Sequence, residues 1–112
     1  DAGFWYHIAE IETAVRWNIN SIIVVNNNSA GNQSKTGFDR AYGGTQTEEA
    51  KKMWKFTKVN LANIANEIGA LGLRVEKPGQ FGGALDQALE AKRPVIIDVV
   101  TDVDAIAPAA VS

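Results

Sequence analysis

Asn20-Ser21-Ile22-Ile23-Val24-Val25-Asn26-Asn27-Asn28 holds an unbroken β-branched run, entered through a polar pair and left through three asparagines. A short continuous apolar run bounded by turn-forming residues predicts a strand buried on both faces of a parallel sheet. Upstream, Phe4, Ile8, Ile11, Ala14 and Val15 recur at helical steps with Glu10, Glu12 and Arg16 between them, which predicts an amphipathic helix from Phe4 to Trp17. Downstream, the stretch from Asn28 to Thr47 is rich in Asn, Gly, Ser and Gln without a sustained period. It reads as a long loop, and loops of that length inside compact domains usually lie near a site.

The rest of the chain alternates. Glu48 to Phe56 reads as a helix with Thr47 as its cap, and Leu61 to Ile68 as a second, capped by Asn60 and stopped by Gly69. Leu73 to Glu76 reads as a short strand. Pro78-Gly79 opens a helix through about Ala91 whose apolar face is Phe81, Leu85, Ala88 and Leu89. Pro94 then precedes Val95 to Val100, the strongest strand signal in the chain. The tail from Asp102 to Ser112 has no period and is expected to fray or to pack elsewhere. Helices alternating with strands in this order predict an α/β fold, three layers αβα with a mostly parallel sheet and right-handed crossovers.

Composition narrows the function classes. The 112 residues suffice for one domain or part of one, and 46% hydrophobic with 21% charged residues is the ordinary globular mix. A net charge of −2 and the lack of a Lys/Arg run argue against nucleic acid as a partner. Lys51, Lys52, Lys55 and Lys58 are interleaved with Glu48, Glu49 and Trp54 as on a solvated helix face. No stretch approaches the roughly 20 apolar residues of a membrane span. Without cysteine the chain can build neither disulfide nor thiolate metal site, and the cytoplasm is the expected compartment. The sequence opens at Asp1, without a methionine and directly ahead of a helix, so a piece of a longer chain is expected.

In parallel sheets ligands bind beyond the carboxyl ends of the strands, where backbone amides and helix starts gather. Asp1-Ala2-Gly3 at the mouth of the first helix and Asn27-Asn28-Ser29-Ala30 after the first strand answer that description. A helix antiparallel to the strand puts Asp1 beside Asn28, and one carboxylate with one amide oxygen suits Mg2+ shared with a diphosphate. Spacing alone leaves a second reading open, in which Asp1 caps the helix and the asparagines form a polar turn.

Asp1-Ala2-Gly3-Phe4, Glu10, Thr13-Ala14-Val15-Arg16 and Val24-Val25-Asn26-Asn27-Asn28 resemble the thiamine-diphosphate binding motif, which runs from Gly-Asp-Gly to Asn-Asn across a helix and a strand. The spacing from Asp1 to Asn28 is similar to that of the acetolactate synthase and pyruvate decarboxylase group without a gap. Weaker likeness continues through Val59-Asn60-Leu61-Ala62, Gly72 to Pro78 and Val95 to Asp102. The resemblance implies that residues 1–112 are the C-terminal part of the thiamine-diphosphate (diphosphate/Mg2+-binding) domain, a partial thiamine-diphosphate-binding fold. It implies that Asp1, the Asn28 side chain and the Ala30 backbone oxygen ligate Mg2+, and that Ala2 and Gly3, with Asn28, meet the cofactor. Two departures stand out: the motif's first glycine would precede Asp1, and its second is Ala2. The loop Ser29-Ala30-Gly31-Asn32 also lacks the aromatic often found there in related enzymes.

The implied function is part of a thiamine-diphosphate- and Mg2+-dependent transferase or lyase acting on a 2-oxo acid, by carboligation or decarboxylation. A homodimer or homotetramer with the rest of the chain is implied as well. The glutamate that activates the cofactor in this family lies in a different domain, so no catalytic residue is assigned here and the fragment alone is expected to be inactive. The alternatives are a non-catalytic module that binds a phosphorylated ligand, or a structural domain at a subunit interface. His7, the lone histidine, reads as a packed or surface residue, and Glu10 as a structural one. Trp5, Tyr6, Trp17, Trp54 and Phe56 fit packing between layers or subunits, although Trp54 to Phe56 follows the long loop and is placed to close over a substrate. Asp98, Asp102 and Asp104 suggest a second metal site or, more simply, solvation at a strand end.

Overall fold

The computed structural model describes residues 1–105. Strands β1 (Ile22–Asn27), β2 (Leu71–Val75) and β3 (Val95–Val100) form one sheet in the order β1-β3-β2, with both pairs parallel. The helices are α1 (Ala2–His7), α2 (Glu10–Arg16), α3 (Asn32–Ala41), α4 (Glu48–Lys51), α5 (Leu61–Ile68) and α6 (Phe81–Glu90), the last entered through a 3-10 turn at Pro78–Gln80.

Alternation along β3 builds the two cores. Ile96 points to one face and packs with Ile11 of α2, Val25 of β1, Leu61 and Ala65 of α5, and Ala70. Val95 and Ile97 point to the other and pack with Val75 of β2 and Ala84 and Ala88 of α6. Helices therefore cover both faces of the sheet, the three-layer α/β arrangement expected from the order of elements. The helix ends follow local chemistry. Asn60 caps α5 by accepting from the Asn63 amide at 2.9 Å, and Gly69 closes it in the left-handed region at φ 104°. Close approach of α5 to β2 requires Gly72, where a Cβ would stand 1.9 Å from the Ala62 carbonyl oxygen.

Five local expectations change. β1 is not buried on both faces: it is the outer strand of the sheet, Ile22, Ile23 and Val24 are exposed, and only Val25 and Asn27 turn into the core. The first helix is two helices, because Ile11 and Glu12 donate to Ile8 and Ala9, three residues back, and this 3-10 joint interrupts the α-helical ladder. The expected loop after Asn28 contains α3, a helix without a single buried residue. It is held locally, by a Lys35 to Asp39 ion pair at 3.0 Å and by stacking of Phe38 on Tyr42, so no apolar period marked it. The helix from Glu48 ends at Lys51, after which the chain turns and Lys55 forms an antiparallel bridge with Ala30. β2 begins two residues earlier than expected and ends at Val75. Most of the tail expectation, from Ile106 to Ser112, falls outside the described residues. Among the described residues no helix is long and apolar enough to cross a membrane.

Candidate cofactor site

The parallel sheet brings the start of α1 and the end of β1 to one edge. The Asp1 backbone nitrogen donates to the Asn26 carbonyl at 2.9 Å, which fixes the first residue of the motif beside the asparagine triplet. Asp1, Ala2, Gly3, Asn28 and Ala30 line one cavity of about 550 Å³, together with Trp54 and Phe56 among others. All five residues singled out in the sequence thus share one space.

The three asparagines turn to different partners. Asn26 bonds the Thr101 hydroxyl through its side-chain oxygen. Asn27 turns inward, 5% exposed, and its amide nitrogen donates to Asp98 at 2.8 Å and to the Val59 carbonyl at 3.1 Å. Asn28 lines the cavity, and its Oδ1 accepts from the Ala30 amide at 3.1 Å, closing a two-residue turn. An amide oxygen has two acceptor directions, so this bond leaves one for a cation. Ser29, between them, is held in the left-handed region at φ 55°.

A second segment clamps that turn. Gly31 donates to the Trp54 carbonyl at 2.7 Å and Phe56 donates to the Ser29 carbonyl at 2.8 Å, bracketing the bridge between Ala30 and Lys55. In an antiparallel pair bracketed this way, the central residues point their own N–H and C=O away from each other. The Ala30 carbonyl therefore faces away from Lys55, on the side where the Ala30 amide meets Asn28. Trp54 is buried and donates from Nε1 to Gln46 at 2.7 Å, while the Lys35 ammonium lies 5.9 Å from its ring centroid. Lys35 also pairs with Asp39 at 3.0 Å and Asp104 at 3.2 Å, which hold its ammonium above the usual lysine pKa. Asp39 is correspondingly held below the usual carboxylate range, first by Lys35 and then by Gln46.

One observation bears on the choice between a metal site and a helix cap. Asp1 makes no side-chain cap bond to α1, and its Oδ1 is buried yet has no hydrogen-bond partner, alone in this respect among the described residues. A buried carboxylate oxygen without a partner costs about 1–3 kcal/mol or more, and such an oxygen calls for an unseen ion or water. The oxygen groups of Asp1, Asn28 and Ala30, residues that line the same cavity, are a carboxylate, an amide oxygen and a backbone carbonyl with little total charge, a donor set whose chemistry fits Mg2+ shared with a phosphate.

The other candidates lie outside that cavity. His7 and Glu10 are exposed on α1 and α2 and line a second, mainly apolar hollow that adjoins the first at Asp1, Gly3 and Asn26. Asp98 is neither solvated nor part of a second metal site: it is fully buried in β3, and among the described residues no three His, Cys, Asp or Glu side chains gather as a metal would need. Its partners, Asn27, the Leu61 amide and Arg74, form a polar knot that spacing did not disclose. The available signal was a single carboxylate inside the apolar run Val95–Val100, since an unpaired charge in a buried strand is prohibitive.

The model of the thiamine pyrophosphate enzyme C-terminal TPP binding domain matches residues 1–99, and the chain belongs to that family. It is 36% identical over 107 residues to acetolactate synthase of Bacillus subtilis (strain 168), an alignment covering 91% of this chain and 17% of that protein. It is also 26% identical over 102 residues to 2-hydroxyacyl-CoA lyase of Arabidopsis thaliana, covering 91% and 18%. The 2-hydroxyacyl-CoA lyase of Oryza sativa subsp. japonica is 26% identical over 103 residues with the same coverage. The chain spans less than a fifth of the length of these curated relatives.

Proposed function

We propose that this chain anchors Mg2+ and the diphosphate of thiamine diphosphate within a longer enzyme that acts on a 2-oxo acid in the manner of an acetolactate synthase. The observation that carries the reading is the partnerless buried Oδ1 of Asp1 in the cavity shared with Asn28 and Ala30. Asp1, the Asn28 side chain and the Ala30 carbonyl would hold the metal, and the Ala2 and Gly3 backbone would face the diphosphate. When bound, the cofactor supplies the carbon nucleophile and electron sink for bond making or breaking next to the substrate carbonyl.

The chain's own residues orient and exclude. The clamp between Ser29–Gly31 and Trp54–Phe56 fixes the ligand turn, and the rings of Trp54 and Phe56 give the cavity an apolar wall. Carboligation or decarboxylation, the 2-oxo acid, a cytoplasmic setting and a homodimeric or homotetrameric assembly belong to the same proposal. Residues 1–112 themselves are taken to lack turnover, because the resemblance puts the activating glutamate in another domain.

Calorimetry of the complete protein with thiamine diphosphate tests the reading. Binding is expected to require Mg2+ and to be abolished by a chelator. Asp1→Ala and Asn28→Ala are each expected to weaken it tenfold or more, roughly the scale of disrupted metal sites. Equal affinity in all three proteins would overturn the metal assignment.

A further inference from the structure

We infer that Asp98, some distance along the sequence from every proposed ligand, is a positioning residue for the metal-binding turn and acts through Asn27. The inference rests on the reading of the site given above. Asp98 is 0% exposed and shares its two oxygens among three elements. Oδ1 accepts from Asn27 Nδ2 at 2.8 Å, while Oδ2 accepts from the Leu61 amide at 2.9 Å and from Arg74 Nη1 at 2.6 Å. The carboxylate therefore ties the end of β1 to the start of α5 and to β2.

Asn27 carries the constraint into the site. With Nδ2 committed to Asp98 and Val59, its amide plane is fixed and its oxygen faces Ser29, accepting from the Ser29 amide at 3.3 Å and hydroxyl at 3.4 Å. Ser29 has positive φ, a conformation that costs a non-glycine residue about 1 kcal/mol or more and persists where the surroundings impose it. That conformation sets the directions of the residues on either side of Ser29, Asn28 and Ala30. Asp98 thus fixes Asn27, Asn27 fixes Ser29, and Ser29 aims both ligands.

Arg74 supplies an internal control. It meets only Oδ2, from the far side of the sheet order, and its second nitrogen partner is Glu76 at 2.9 Å. Its loss leaves the buried carboxylate without its cation, a cost that falls on stability, while each hydrogen bond of the Oδ1 to Asn27 to Ser29 path keeps both its donor and its acceptor. Asp98→Asn keeps the shape but cannot accept along all three directions, and Asn27→Ala cuts the path while leaving Asp98 to Leu61 and Arg74.

The test uses the complete protein and two readouts, Mg2+ affinity in the presence of thiamine diphosphate and amide hydrogen exchange of the 28–31 peptide. Asp98→Asn and Asn27→Ala are expected to lower Mg2+ affinity by about tenfold and to speed exchange at Ser29 and Ala30. Arg74→Met is expected to lower the unfolding midpoint with Mg2+ affinity within about twofold of the parent. If Asp98→Asn fails to fold, Asn27→Ala against Arg74→Met decides. Parent-like affinity and exchange in Asn27→Ala, beside a weakened Asn28→Ala, would overturn this inference alone. Loss of affinity in step with stability across all variants, Arg74→Met included, would also overturn it, leaving Asp98 a structural residue. Parent-like affinity in Asn28→Ala would instead sink the site itself.

Discussion

β1 and β3 are both six-residue strands that open on β-branched residues, Ile22–Asn27 and Val95–Val100, yet Val95, Ile96 and Ile97 are completely buried and Val24 is 50% exposed. Their apolar openings are alike; position in the sheet is what differs. β3 has a parallel neighbour on each side and a helical layer on each face, whereas β1 pairs along one edge only. An apolar run therefore announces a strand, while its burial is decided by elements far away in the sequence. The two strands also end differently. β3 buries a carboxylate that organises the knot, and β1 ends in asparagines that carry the knot to the cavity.

That contrast is testable by substitution in the 112-residue chain. Ile97→Ala in β3 is expected to cost about 4 kcal/mol, since a fully enclosed site cannot collapse around the void. Urea unfolding measures it, and a cost below about 1.5 kcal/mol would mean that β3 is not the centre of the fold. Gly72→Ala, beside β3, is expected to cost about 3 kcal/mol, because its Cβ would collide with the Ala62 backbone and not with a flexible side chain. Val24→Thr in β1 is expected to stay within about 0.5 kcal/mol of the parent, as an exposed strand position should. A loss there as large as that of Ile97→Ala would erase the distinction between the strands.

The smallest effect concerns charge on α3. Asp39 has a folded pKa below its unfolded value, so its pairing stabilises the protein above the unfolded pKa, about 3.9, and that contribution is lost as pH falls through the folded value. Carboxyl NMR should find Asp39 titrating below the ordinary range, and Lys35→Met should move it upward. An unchanged titration in that variant would show that Gln46, the other partner, carries the shift.

Much of the fold was legible because its signals are local. Asn60 and Gly69 bound α5 as their chemistry dictates, and the alternation of helices with apolar runs specified a parallel sheet. α3 was not legible: it buries nothing, contains Gly37, and is held by ion pairs and stacking that carry no apolar period. The site divides in the same way. Asp1, Ala2, Gly3, Asn28 and Ala30 belong to the two ends of one motif of fixed spacing, and the sheet brings those ends to one cavity. The Asp98 to Asn27 contact joins residues 71 apart, and only the register of β1 on β3 brings them together. Trp54 and Phe56 were visible as aromatics after a long stretch without period, but their backbone clamp on Ser29–Gly31 depends on a single bridge.

Anomalous diffraction from the complete protein crystallised with thiamine diphosphate and Mn2+ in place of Mg2+ probes the shared-cation claim most directly. The account predicts one peak within coordination distance of Asp1, the Asn28 Oδ1 and the Ala30 carbonyl. A metal held elsewhere, or cofactor bound with Asp1 and Asn28 both free of metal, would contradict it.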